Sequence, residues 1–426
     1  MDLHVDEVIK GLFNNEAYKK PSDKIKLEDL ELRLPEWYDK KKFDQGRRFQ
    51  RDFFYMQSIA MMLGLIAVMA IPTILKVLVS TRRSNSSFTA FKRYWSTFLH
   101  IQSWLGNELK PGSLSWRSLH EVRARHIMAD RACKLKGHGT VSQRDVAFTI
   151  FGFIGFMILK PQKLGIRQLQ SGDWEAFNHF WGVIGYMLGL EDRYNICRKN
   201  LDDTRQICRI LQDRIYTPCL NNSPEYFEHA AHVMTVGMSA IHPAVEHDSL
   251  VFFTKYLADV PGYIYTEKDR IELQTKLKTH LNGNSIETGI DSSKLLEKCP
   301  IDFSPQTKPT VLYLRDYDTI EDSPQYKRLP FGAKFKLSLL EVLLAVYNTY
   351  IGRLLLNLHF ACYIFIGEYL PYVAMWRYGV KDAYISLFKE TPADDYVPKT
   401  NSEYYKRMPI PWYRELLSCV SWGYFE

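Results

Sequence analysis

The sequence predicts an all-α protein, and three observations carry that expectation. Apolar residues recur at helical spacing through most of the chain, cap signals bracket those runs, and no convincing alternation of strand type occurs. Composition agrees, because 46% hydrophobic, 24% charged and 14% aromatic residues describe an ordered globular chain with rings to line pockets or interfaces. A length of 426 residues fits one large core with appendages or two ordinary cores.

In chain order, residues 1–45 are polar, Lys-rich and interrupted by Pro21 and Pro35, which reads as an arm packing on something else. Phe53 to Leu75 then holds no charged residue and by length qualifies as a membrane span, since about 20 apolar residues cross a bilayer. Gln57, Ser58, Gly64 and Pro72 dilute that run, so a buried core helix, kinked by Pro72 in its last third, is favoured. Phe88 to Leu105 has two faces: Phe91, Trp95, Phe98, Ile101 and Leu105 on one, Arg93, Thr97, His100 and Trp104 on the other. The second face suits a pocket wall or a solvent face.

Pro111-Gly112-Ser113 marks a turn before the next helix, and Lys136-Gly137-His138-Gly139 ends it with a glycine cap signal. Ser142-Gln143-Arg144-Asp145 reads as a capping box opening a helix that is uncharged from Val146 to Leu159 and stopped by Pro161. Asp173 is a good N-cap for the helix carrying Trp174, Phe177, Trp181, Ile184 and Leu188 as a seam. Its Gly182, Gly185 and Gly189 permit close approach of a helix or of a flat cofactor, with helix crossing favoured. Helical signal continues over Arg198 to Leu211, Pro224 to Ser239 and Ser249 to Leu257.

Residues 276–330 are polar and dotted with proline and read as a connector. In 331–426, Leu337 to Tyr350 and Leu354 to Gly367 form apolar pieces broken by Glu341 and Arg353, each too short to span, so a buried or interfacial pair is expected. A tail with Pro392, Pro398, Pro409 and Pro411 among tyrosines should wrap the surface.

The net charge of +7 is spread along the chain, so nucleic acid is not the favoured partner. Lys40-Lys41-Lys42 with Arg47-Arg48, and Arg82-Arg83, bracket the apolar helix and suit an anionic membrane surface, cofactor carboxylates or plain solubilisation. Seven cysteines without a CxxC pair exclude a zinc ribbon, a CxxCH haem attachment and a disulfide framework, and imply a reducing compartment. The acidic Met-Asp-Leu-His-Val-Asp-Glu start predicts an intracellular protein that is not secreted, and the Asn85-Ser86-Ser87 sequon is then unused.

Two motifs invite metal chemistry. His229-Ala-Ala-His232 is a single histidine box, short of the several that two irons need. His126 lies in Glu121-Val-Arg123-Ala-Arg125-His126-Ile-Met-Ala-Asp130-Arg131, where one helix offers an axial imidazole and cations near the propionates of a haem. Spacing alone leaves His126 one histidine among twelve.

Arg123-x-x-His126 to Arg131, Gly137, Ser142-Gln143-Arg144-Asp145 with Thr149 and Phe151, and Trp181, Gly185 and Leu188-Gly189-Leu190 together resemble the rubber oxygenase and mycophenolic-acid-pathway oxygenase family. Upstream, Leu78-Val79-Ser80-Thr81-Arg82-Arg83 and Arg93-x-x-x-Thr97 resemble further motifs of that family in the same order. The resemblance spans about residues 46–200, extending towards 270, within a domain drawn at 46–275. It implies a globin-like, all-α domain that holds haem b without covalent attachment, with His126 as iron ligand; spacing on the helix adds Arg123 and Arg131 as propionate partners. It further implies cleavage of double bonds in an apolar, isoprenoid or lipid substrate by O₂, with Arg93 and Thr97 orienting the oxygen, and association with the endoplasmic reticulum membrane.

The chain departs from the family at Ser96, where rubber-cleaving members carry lysine, and near Val77, where they carry glutamate. A helical haem-binding or membrane-associated interaction protein without oxygenase chemistry therefore stands as the alternative. So does ligation by His100, which shares the face of Arg93 and Thr97.

Overall fold

The computed structural model describes residues 4–242, 244–260, 320–405 and 411–413. Among them no β-strand occurs, and the one bridge pairs Pro21 with Ser142, so the all-α expectation holds. Most of the connector drawn at 276–330, and the end of the tail, lie outside the described residues. The chain forms two compact units that interleave in sequence: 1–68, 96–212 and 386–390 make the first, and 69–95, 213–385 and 391–426 the second.

The first unit holds α1 (Val5–Phe13), α2 (Asn15–Lys19), α3 (Lys40–Asp52), most of α4 (Phe54–Met69), α7 (Leu114–Leu135), α8 (Gln143–Leu159), α9 (Asp173–Met187) and α10 (Leu201–Leu211). Its densest packing joins α3 to α9. A Cβ on Gly46 would sit 2.3 Å from the Ala176 carbonyl oxygen, so only glycine lets these backbones meet, and Phe43 on Phe180 (4.8 Å) and Phe49 on Trp174 (5.1 Å) fill the flanks. The seam Trp174, Phe177, Trp181, Ile184 and Leu188 is buried. The α4–α8 crossing is closer still, with a Cβ on Gly64 falling 1.6 Å from the Gly152 carbonyl oxygen.

Residues before α3 lie on this unit. Ser22 N–H donates to the Val141 carbonyl (2.7 Å), Gln143 N–H to that of Lys20 (2.9 Å), and Lys20 pairs with Glu191 at 2.5 Å. The capping box forms: Ser142 Oγ accepts from Asp145 N–H and the Asp145 carboxylate from Ser142 N–H, each at 3.1 Å.

Two local expectations are corrected. The run from Phe53 to Leu75 is not one kinked helix: α4 stops at Met69, and Pro72 occupies the first turn of a new helix, α5 (Pro72–Ser80), where its missing N–H costs nothing. Asp173 does not cap α9; Gly172 (φ +80°) precedes the helix, and the Asp173 carboxylate turns back to accept from the N–H groups of Leu169 and Gln170.

The second unit holds α5, α11 (Thr217–Asn221), α12 (Phe227–Met238), α13 (His247–Leu257), α14 (Phe331–Tyr347), α15 (Tyr350–Tyr369) and α16 (Tyr372–Tyr378); α6 (Ser87–Gly106) passes from it into the first unit after Trp95. Gly237 of α12 meets the backbone of Ser87 and Phe91. An extended segment is tied down where Ser86 and Thr89 hydroxyls each donate to Asp394 at 2.6 Å and Asn85 Nδ2 donates to the Tyr396 carbonyl. Asn85, the sequon asparagine, is buried.

Candidate functional site

His126 sits near the middle of α7, a 22-residue helix with both ends closed by local chemistry. Ser113 Oγ accepts from Trp116 N–H (3.2 Å) at the start. At the end Gly137 is left-handed (φ +69°), and the N–H groups of His138 and Gly137 close on the carbonyls of Cys133 and Lys134. His126 is half-buried, with Nδ1 shielded from solvent.

The cations proposed around it are placed differently from one another. Arg123, one turn before His126, pairs with Asp23 at 2.5 Å and reaches the Met187 carbonyl (3.4 Å), so a propionate there would have to displace Asp23. Arg131 is five residues beyond His126, about 140° around the helix, and is exposed. Asp130 closes the following turn, accepting from Val141 N–H (2.8 Å), Lys134 Nζ (2.6 Å) and the Thr140 hydroxyl.

A second constellation in the same unit was only partly visible in sequence. His100 is 2% exposed; its Nδ1 lies 2.7 Å from Ser118 Oγ, which also accepts from Trp104 Nε1 (2.8 Å). The face carrying His100 and Trp104 is therefore buried. Arg125 lies across it, with Nη1 3.4 Å from both His100 Nε2 and Ser96 Oγ, Nη2 donating to the carbonyls of Leu387 and Lys389, and Nε paired with Glu121 (2.8 Å). Burial, followed by the Arg125 charge, pushes His100 down to about 3, so its imidazole is neutral. Ser118, Glu121 and Arg125 follow one another at i, i+3 and i+7, a one-face spacing that sequence reading passed over.

Of the pair Arg93 and Thr97, both half-buried, Arg93 donates to Thr81 Oγ1 at 3.2 Å, joining two of the segments that carry the family resemblance. Val77 is half-buried on α5. The histidine box lies in the second unit, where His229 Nε2 sits 2.8 Å from the Asn85 carbonyl oxygen and Nδ1 2.8 Å from the Tyr404 hydroxyl. Beside it Glu228 is paired with His247 at 3.1 Å. Burial alone would raise the carboxyl, but the hydrogen bond and charge of His247 outweigh it and hold Glu228 at about 2.

Two surface grooves flank α3, of about 310 and 620 Å³, the larger lined by Lys40, Lys41, Arg47, Arg48, Arg51 and Glu108 among others; His126 and His100 line neither.

No family model matches the chain, and no curated protein matches it. Among solved structures, latex clearing protein in its closed state is similar at 20% identity and a TM-score of 0.42, over 60% of this chain and 72% of that one.

Proposed function

We propose that the protein is a haem-dependent oxygenase acting with O₂ on an apolar, isoprenoid or lipid substrate, with His126 as the iron ligand. The observation that carries this reading is the ordered motif set, centred on a half-buried imidazole in a long capped helix. The haem, when bound, supplies the iron at which O₂ is activated. His126 would hold the iron through a ring nitrogen. Arg125 brings a guanidinium to Ser96, where rubber-cleaving relatives carry their own cation. We assign the apolar wall that would keep water away to α8, which is buried and uncharged from Val146 to Leu159.

The test is spectral. Purified protein reconstituted with haem should show a Soret band that His126→Ala abolishes and His100→Ala retains; a band kept in His126→Ala sinks the assignment, and loss only in His100→Ala moves the ligand there. A second reading, a haem-binding helical protein without oxygenase turnover, is favoured by Arg123 being held by Asp23 and by Ser96 at the lysine position. Uptake of O₂ on adding polyprenyl substrates would reject it.

A further inference from the structure

Two consecutive helices of the second unit turn apolar side chains outward. On α14, Phe331, Phe335, Leu339, Val342 and Val346 recur at helical spacing and are 40% to 59% exposed. On α15, Ile351, Leu354, Leu355, Leu358 and Phe365 are 50% to 69% exposed. The expectation that this region was too short to span is corrected: α15 runs unbroken through Arg353, whose side chain is buried, and is long and apolar enough to cross a bilayer, with only 22% of its most apolar stretch buried. Scattered apolar residues are ordinary on a surface, but two neighbouring helices that each expose a row of large apolar side chains mark an interaction site.

The inward side of α15 says how that face can be used. Gly352, Arg353, Phe360 and Gly367 form one narrow buried stripe. Gly367 lies against Ile241 and Trp95, and the Phe360 ring is 5.7 Å from that of His242. From Gly352 to Gly367 the helix is thus held against its own unit over about 22 Å. It lies along the protein and offers its flank.

The surroundings of the face match lipid. Tyr350, Tyr369, Tyr372 and Trp376 are 40% to 65% exposed and add amphipathic rings of the kind that sit at headgroup level. Lys327, Arg328, Lys334 and Lys336 fall within the ten residues entering α14, with no carboxylate among them. Along the two helices the outward carboxylates are Glu341 and Glu368. This charge complements an anionic leaflet.

We propose that the outward face of α14 and α15 is a monotopic membrane-binding surface, its apolar side chains entering the acyl boundary of an anionic bilayer beneath the basic entrance of α14. It stands independently of the haem reading, because binding needs no cofactor.

Flotation of the full-length, haem-free protein with phosphatidylcholine vesicles, with or without phosphatidylserine, tests it. The protein should float with both and more strongly with phosphatidylserine. Leu355→Glu with Leu358→Glu should lower the partition about 100-fold with an unchanged far-ultraviolet spectrum, and Lys334→Glu with Lys336→Glu should remove the phosphatidylserine increment. In a chain with Cys299→Ser and Cys419→Ser, an environment-sensitive dye on exposed Cys362 should shift to the blue on adding vesicles; Cys133, Cys197, Cys208 and Cys219 are buried. Wild-type protein that does not float, a dye that does not shift, or a glutamate variant that floats as well as wild type overturns the proposal. A concentration-dependent dimer that the glutamate variant dissolves, without vesicle binding, assigns the face to a second copy instead.

Discussion

His100 makes the first unit sensitive to acid. Its folded value of about 3 lies below the 6.5 of a free imidazole, so below pH 6.5 the unfolded chain takes up a proton that the folded one refuses. The contribution of a neutral His100 is complete above pH 6.5 and falls by about 1.4 kcal/mol per pH unit down to about pH 3. His100→Gln should flatten that decline, measured by urea unfolding at a series of pH values; an unchanged slope would remove His100 as its cause. The ring itself was legible in sequence because it shares a helix face with Arg93 and Thr97. Its control by Arg125 was not, because the carbonyls of Leu387 and Lys389 that hold Arg125 lie more than 250 residues downstream. Arg123 shows the same limit: spacing placed it one turn from His126, but its partner Asp23 lies 100 residues upstream.

Elements were most legible where their signals are local. The capping box at Ser142 and the left-handed turn at Gly137 involve residues within five positions of each other, and both form as read. Pro72 was recognised as a disruption, but the outcome was a break, because the chain can start a fresh helix on a proline more cheaply than it can bend around one. Asp173 reads as an N-cap in sequence, but its carboxylate is taken by the N–H groups of Leu169 and Gln170 behind it. The glycines of α9 are the more conspicuous cluster in sequence, but the tightest crossing uses Gly64 and Gly152, on helices far apart along the chain. Gly64→Ala should cost about 3 kcal/mol in denaturant unfolding, since its Cβ meets rigid backbone. Gly152→Ala should cost less, because the first atom met there is the movable Val68 Cγ2 at 2.5 Å. An equal loss for the two would contradict that geometry.

At the scale of the whole molecule, the division that sequence suggested, with a catalytic segment at 46–275 and a C-terminal segment at 331–426, differs from the division into compact units. Composition marks where polarity changes along the chain, whereas units are made by contacts, and residues 386–390 return to the first. Within that return, Phe388 lies 4.9 Å from the Arg117 guanidinium, beside the two carbonyls that accept from Arg125. A chain ending at residue 275 should therefore unfold at lower denaturant than the whole protein when followed by signals from the first unit. Restoring residues 386–390 as a separate peptide should recover part of the loss; identical midpoints with and without the C-terminal region would show that the return contributes nothing.

The same return has a consequence in time. A ribosome moving at roughly 5–20 residues per second needs about 10–35 s to make the stretch from 213 to 385. Throughout that interval the first unit has emerged without its last five residues, and Arg125 faces an edge with two acceptors missing. Final closure over His100 is thus a late event of biosynthesis, set by the length of the intervening chain and not by the speed at which the helices form.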